Sequence, residues 1–211
     1  MPKGSEELFN ARREEIISAC ETLYRSMSFK DVTIKEIGSA TSFTRTSIYN
    51  YFQTKEEIFL ALLEREYDKW VAELTDLLNS HDALSAEELS SALARTLSHR
   101  ELLLKIMSMN HYDMEENSRP DRLAEFKSSY RNLLQTVSRC LEKFLPRMTE
   151  KDRQDFLYVF FPFVYGIYPY ADVAEKRYAT IENAEEPFAR LTVYELAYTC
   201  IKKLLISPTK S

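Results

Sequence analysis

Twenty-three residues, Thr33 to Lys55, leave the rest of this 211-residue chain few options. They read as two short helices joined by a tight turn, with a third helix starting directly behind them. Thr33 is placed to cap the first helix, and Glu36, three positions on, can reach back to complete a capping box. Ile34 and Ile37 supply its apolar stripe. The turn falls at Thr41-Ser42-Phe43, with Phe43 as the apolar plug between the helices. Thr44 then caps a helix whose first turn, Arg45-Thr46-Ser47, is entirely polar. Behind it Ile48, Tyr51 and Phe52 have the i, i+3, i+4 spacing of a buried face. Thr54 and Glu57 form a second expected capping box, at the head of a long helix.

A DNA-reading helix-turn-helix needs this arrangement: one helix braces another, which offers its N-terminal residues to base edges in the major groove. Free N–H groups and the positive dipole end at a helix start also suit phosphate. Arg45 can make a forked bond to guanine, Thr46 and Ser47 can reach bases or phosphate, and Tyr49 and Lys55 can hold phosphates. Thr33, Lys35, Thr44, Asn50 and Tyr51 complete the candidate DNA contacts.

The run from Thr46 to Phe59, with Ile48-Tyr49-Asn50-Tyr51-Phe52 at its centre, resembles the signature of the tetracycline-repressor (TetR) family of bacterial transcriptional regulators. The resemblance covers residues 10 to about 65. It implies a DNA-binding domain, a larger helical domain that binds a ligand, and a homodimer. That family usually has alanine then glycine where this chain has Thr41 and Ser42, and alanine where Gly38 stands. Ser42 in a left-handed turn would cost about 1 kcal/mol relative to glycine. Gly38 still provides the small residue needed where the helices cross.

Only three glycines occur, at positions 4, 38 and 166, which excludes Gly-rich dinucleotide and phosphate cradles. Scarce glycine and the absence of alternating β-branched runs indicate an all-α chain. Cys20, Cys140 and Cys200, odd in number and far apart, read as reduced thiols in a cytoplasmic protein. Neither a signal peptide nor a long uncharged apolar run is visible, so no membrane partner is expected. The net charge of −5 is unevenly spread. Residues 25 to 55 carry five basic and two acidic side chains, a net of +3, so the remainder sums to −8. That asymmetry suits a small DNA-contacting face on an acidic body.

After the motif, a long helix is expected from Thr54 to about Asn79, then helices from Ser85 to about Leu97, from Arg100 to Met109, and from Pro120 to about Leu145. Residues 111 to 116 read as a polar connection; His111 and its acidic neighbours fit a solvated loop better than a metal site. Thr149 caps a further helix. It leads into Phe156 to Tyr170, an aromatic run apolar on every side and interrupted by Pro162, which should kink it and free the Tyr158 carbonyl. Residues 171 to 186 read as a loop, and Pro187 as the start of the last helix, to about Ile206.

Two adjacent helices with this much apolar surface point to a dimer interface. Plain core packing accounts for part of the aromatic run. The rest can line a ligand cavity with Trp70, Met107, Tyr112, Phe126, Tyr130, Tyr158, Phe161 and Tyr165. No nucleophile with its base, paired carboxylates or cofactor loop is visible, and no cofactor is expected. A helical enzyme with dispersed residues and a ligand-blind adaptor remain competing classes. The reading is a DNA-binding domain at residues 1–54 and a ligand-binding and dimerisation domain at 55–211. The expected activity is that of a ligand-responsive, sequence-specific repressor released from a palindromic operator by a small apolar or aromatic effector.

Overall fold

The computed structural model describes residues 3–109, 111–171 and 191–206, without the side chains of residues 3–5 and 111–113. Among these residues the chain is all-α: α1 (Lys3–Ser26), α2 (Ile34–Ser39), α3 (Arg45–Ile48), α4 (Lys55–Ser80), α5 (Ala86–Ser98), α6 (Glu101–Met107), α7 (His111–Glu116), α8 (Pro120–Phe144), α9 (Glu150–Ile167) and α10 (Val193–Ile206). Tyr168–Tyr170 adds a 3₁₀ turn after α9.

Local capping explains most starts. Ser85 and Glu88 form the reciprocal box ahead of α5, and Thr149 and Asp152 do the same ahead of α9. Pro120 opens α8, where its missing N–H has no helical partner to lose. At α10 the cap is Thr192, whose hydroxyl accepts the Glu195 N–H while the Glu195 carboxylate accepts the Thr192 N–H. Pro187, the expected start, lies outside the described residues. Residues 111 to 116, expected as a connection, are helical because Met114 supplies a buried anchor. α9 continues unbroken through Pro162. Tyr158 and Pro162, one turn apart, share its exposed side, so the carbonyl without an N–H donor costs little there.

The chain divides into two compact units; it passes between them within α4, between α6 and α7, and within α8. The first holds the described residues up to Glu66 and those from 111 to Ser129; the second holds the remainder from Tyr67 to Met109 and from Tyr130 onward. This differs from the expected division after residue 54. Side chains of early α4 bond back to α1: Arg65 donates to Glu21 (2.6 Å) and Ser18 (2.9 Å), and Arg13 lies 3.5 Å from Glu64.

In the first unit Ile16, Ile17, Cys20, Ile37, Ile48, Phe52, Ile58 and Leu62 are fully buried, and Tyr24 meets Phe59 edge-on at 5.0 Å. In the second, α10 packs along α5 and α9. There Leu89, Leu93, Leu97, Val164, Ala197 and Ile201 are buried, and the Ser91 and Tyr194 hydroxyls meet at 3.0 Å.

Candidate nucleic-acid interface

Thr33 caps α2, its hydroxyl accepting the Glu36 N–H at 3.4 Å. α2 crosses the start of α3 at Gly38, where an added Cβ would lie 3.2 Å from both Arg45 Cα and Cβ. The absence of a side chain at Gly38 sets that approach. The turn is not closed in the expected way, because no described residue has a positive φ and Ser42 is not left-handed. The Glu15 carboxylate of α1 accepts the Ser42 N–H (2.5 Å) and hydroxyl (3.1 Å), while the Thr41 hydroxyl faces the carbonyls of Gly38 (3.0 Å) and Phe43 (3.2 Å). Side chains hold the turn where a glycine conformation was expected.

Thr44 also differs from expectation. It stands at the N-cap, but its hydroxyl pairs with the Ser47 hydroxyl at 3.0 Å and makes no bond to the helix backbone. The Ser47 N–H reaches the Thr44 carbonyl instead, at 2.8 Å. α3 is one turn long and passes into a hydrogen-bonded turn in which the Tyr51 and Phe52 N–H groups both reach the Ile48 carbonyl.

Most of the expected contact residues are open to solvent. Thr33, Lys35, Thr44, Arg45, Thr46 and Asn50 are exposed, Tyr49 is 47% exposed, and Ser47 is half-buried. Arg45, Thr46, Tyr49 and Asn50 are exposed while Ile48 between them is fully buried. Two residues depart from the expected set. Tyr51 is only 7% exposed, its ring 4.6 Å from Phe9 and 6.3 Å from Phe43, so it belongs to the core that seats the helix. Lys55 turns inward: its ammonium donates to the Phe29 carbonyl (2.8 Å) and lies 4.2 Å from the centre of that ring. Arg12, absent from the expected set, is exposed on α1 with its guanidinium 5.8 Å from the Phe43 ring centre. Only the fold brings it beside the turn.

Glu57 is 1% exposed. Its carboxylate accepts the Gln53 N–H (2.8 Å), bonds from Arg119 Nε and Nη2, and the Arg119 backbone N–H. The expected box at Thr54 is thus half made: Thr54 accepts the Glu57 N–H (3.2 Å), and its own hydroxyl donates to the Asn117 carbonyl. Burial alone pushes the Glu57 carboxyl up, but the bonds from Arg119 and Gln53 and the guanidinium charge outweigh it and hold the group below its ordinary 4.5.

Four of the residues proposed for a ligand form one aromatic cluster. Trp70, Tyr130, Phe161 and Tyr165 come together in the second unit, with Phe161 6.2 Å from Trp70 and 5.6 Å from Tyr130, and Tyr165 6.4 Å from Tyr130. Phe160 and Tyr67 join them, the Tyr67 and Tyr165 hydroxyls meeting at 2.8 Å. Tyr67 stands three positions before Trp70 on α4, a spacing visible in the sequence. Burial, and then Tyr165, pushes the Tyr67 phenol well above its ordinary value. Trp70 donates its N–H to Thr96 at 2.9 Å. Met107 is buried in the same unit. Phe126 is buried in the other unit, Tyr158 points outward at 76% exposure, and the Tyr112 side chain lies outside the described residues. A hollow of about 600 Å³ opens elsewhere in the second unit, lined by Phe144, Leu145, Met148, Phe156, Val159 and Leu205 among others.

Residues 16–62 match the family model described as bacterial regulatory proteins, tetR family, and residues 64–197 match the tetracyclin repressor-like C-terminal domain. The uncharacterized HTH-type transcriptional regulator YfiR of Bacillus subtilis is 30% identical over 73 residues, 35% of this chain and 36% of that protein. The HTH-type transcriptional repressor NemR of Escherichia coli is 28% identical over 85 residues, 40% of this chain and 43% of that one. The matched stretches thus span less than half of these curated relatives. A transcriptional regulator of the TetR/AcrR family from Thermobifida fusca shares the fold over 95% of this chain and 100% of its own, with a TM-score of 0.62 at 18% identity. Matches to both halves of the family pattern, the second alone covering more than half of the sequence, establish that the chain belongs to the TetR family, whose members are transcriptional regulators and not enzymes.

Proposed function

We propose that this protein is a sequence-specific DNA-binding repressor that works as a homodimer in the cytoplasm and leaves a palindromic operator when a small apolar or aromatic effector binds. One observation carries the reading: Arg45 and Thr46 on α3, and Tyr49 and Asn50 in the turn that follows it, stand exposed while Ile48, Tyr51 and Phe52 are buried. Such a face can enter a major groove without unfolding anything. Residues 1–54 would supply DNA contact, and residues 55–211 effector binding and dimerisation. The dimer is supported by the outward side of α9, where Tyr158 (76% exposed) and Val159 (51%) lie with Pro162 and Gly166. The effector region is supported by the rings around Trp70, with the Tyr67, Tyr130 and Tyr165 hydroxyls as polar anchors. α4 carries both Lys55 and Trp70 without proline or glycine, so a tilt of the helix at the effector end is transmitted toward α3.

The test begins by selecting bound DNA from a random pool. Effector candidates are then found by thermal shift and followed through Trp70, the only tryptophan in the chain. An effector that acts as proposed lowers operator affinity, and operator lowers effector affinity by the same factor, about 5- to 150-fold. Equal effector affinity for free and operator-bound protein rules out the coupling.

A further inference from the structure

Glu15 lies on α1, twenty-seven positions before the residue it holds. Its two carboxylate oxygens take two donors of one residue at the turn: Oε1 accepts the Ser42 N–H at 2.5 Å and Oε2 the Ser42 hydroxyl at 3.1 Å. Arg12, three positions earlier on α1, lies over the Phe43 ring next to Ser42. The turn uses no positive φ. Its geometry is therefore set by an acceptor from another helix and not by glycine's freedom at Ser42. Two residues further on, Thr44 begins the one-turn helix that carries Arg45 and Thr46. A carboxylate beside a face that meets phosphate opposes DNA binding electrostatically. Its presence there calls for a gain of another kind.

We infer that Glu15 is a positioning residue for DNA reading: by clamping Ser42 it fixes the turn, and through the turn the angle at which Arg45 and Thr46 face the bases. The inference rests on the DNA-reading function proposed above. A residue needed only for folding would lower stability and weaken all DNA binding alike. A positioning residue changes the preference for operator over other DNA.

The experiment compares full-length variants on the duplex selected from the random pool and on an unrelated duplex of equal length. Glu15→Ala is expected to lower the ratio of the two affinities about tenfold, as for loss of a hydrogen bond to a charged group. Its affinity for the unrelated duplex should hold or rise, because a negative charge has been removed. Glu15→Gln should keep the wild-type ratio, since the amide oxygen still accepts the Ser42 N–H and the amide NH₂ can face the hydroxyl oxygen. Ser42→Ala, which keeps the N–H bond, should lower the ratio about threefold. Combined with Glu15→Ala it should add nothing further. If Glu15→Ala does not fold, as judged by thermal unfolding, Glu15→Gln and Ser42→Ala still decide the matter. The inference is overturned if Glu15→Ala keeps the ratio, if it loses both affinities in proportion, if Glu15→Gln behaves as poorly as Ala, or if Ser42→Ala leaves the ratio untouched. A wild-type protein that selects no sequence from the pool overturns the DNA-reading function itself, and this inference with it.

Discussion

Arg119 closes on Glu57 across sixty-two positions of sequence, with Nε 2.7 Å from one carboxylate oxygen and Nη2 2.9 Å from the other. The Arg119 N–H reaches the same carboxylate at 3.1 Å, and Nη2 also reaches the Tyr51 carbonyl at 3.3 Å. The pair therefore ties the end of the reading segment and the first turn of α4 to the residue just ahead of α8. Removing Arg119 would leave a buried carboxylate and a carbonyl short of donors. Arg119→Ala is expected to destabilise the protein by about 3 kcal/mol in chemical denaturation. Replacing the pair together, as Arg119→Met with Glu57→Leu, should recover much of that loss. A double variant as unstable as Arg119→Ala would show that the pair does more than satisfy itself.

The same pair gives a pH dependence with a definite sign. Glu57 is held below its ordinary 4.5 in the folded chain, so it binds protons more readily when unfolded. Its contribution is fully present above 4.5 and is lost as pH falls through the lower folded value. Between pH 5 and pH 3, stability should fall more steeply in wild-type protein than in Glu57→Gln, as measured by urea midpoints at each pH.

On the reading face the expected effects separate by chemistry. Arg45→Ala should relax base preference at one operator position, by about 1–3 kcal/mol. Tyr49→Phe should weaken all sequences alike if its hydroxyl holds phosphate. Lys55 is committed to Phe29, so Lys55→Ala should cost about 1–2 kcal/mol of stability and lower the salt slope of DNA binding by less than one unit. A full unit lost at unchanged stability would mean that Lys55 leaves Phe29 for phosphate on binding.

Gly38 tests the crossing of α2 and α3. Alanine there gains about 1 kcal/mol of helix propensity. Its Cβ would also stand 3.2 Å from Arg45 Cα, so the start of α3 must yield by a few tenths of an ångström. Gly38→Ala should therefore change the melting temperature little and still lower operator affinity. Gly38→Val, with more to accommodate, should destabilise by about 1–3 kcal/mol.

The outward face of α9 gives a test of association. A Cβ at Gly166 meets nothing within 4 Å in the single chain. Gly166→Leu should leave the fold intact, gain helix propensity and obstruct a partner on that face. Val159→Asp should act in the same direction. Both variants are expected to sediment as monomers at concentrations where wild-type protein is dimeric; unchanged dimers would place the interface elsewhere.

Much of the architecture is legible in short range. The boxes at Ser85 and Thr149, the start at Pro120 and the buried spacing of Ile48, Tyr51 and Phe52 each depend on residues within four positions. At residues 111 to 116 the pattern is mostly polar, and the burial of Met114 depends on what the fold places around it. Ser42 departs from the left-handed expectation because the acceptor of its N–H is on α1, outside any pattern within the turn.

The sequence by itself determined the helical content, the helix-turn-helix and the set of side chains able to read DNA, because periodicity and capping are local properties of the chain. The tertiary structure alone decided which of those side chains are free. Tyr51 was taken into the core by Phe9, Lys55 by a carbonyl twenty-six positions away, and Glu57 by Arg119. It also left Tyr158 exposed while the rings around Trp70 pack together. Such choices rest on which long-range partner desolvates or satisfies a group, and no local spacing encodes that partner's position.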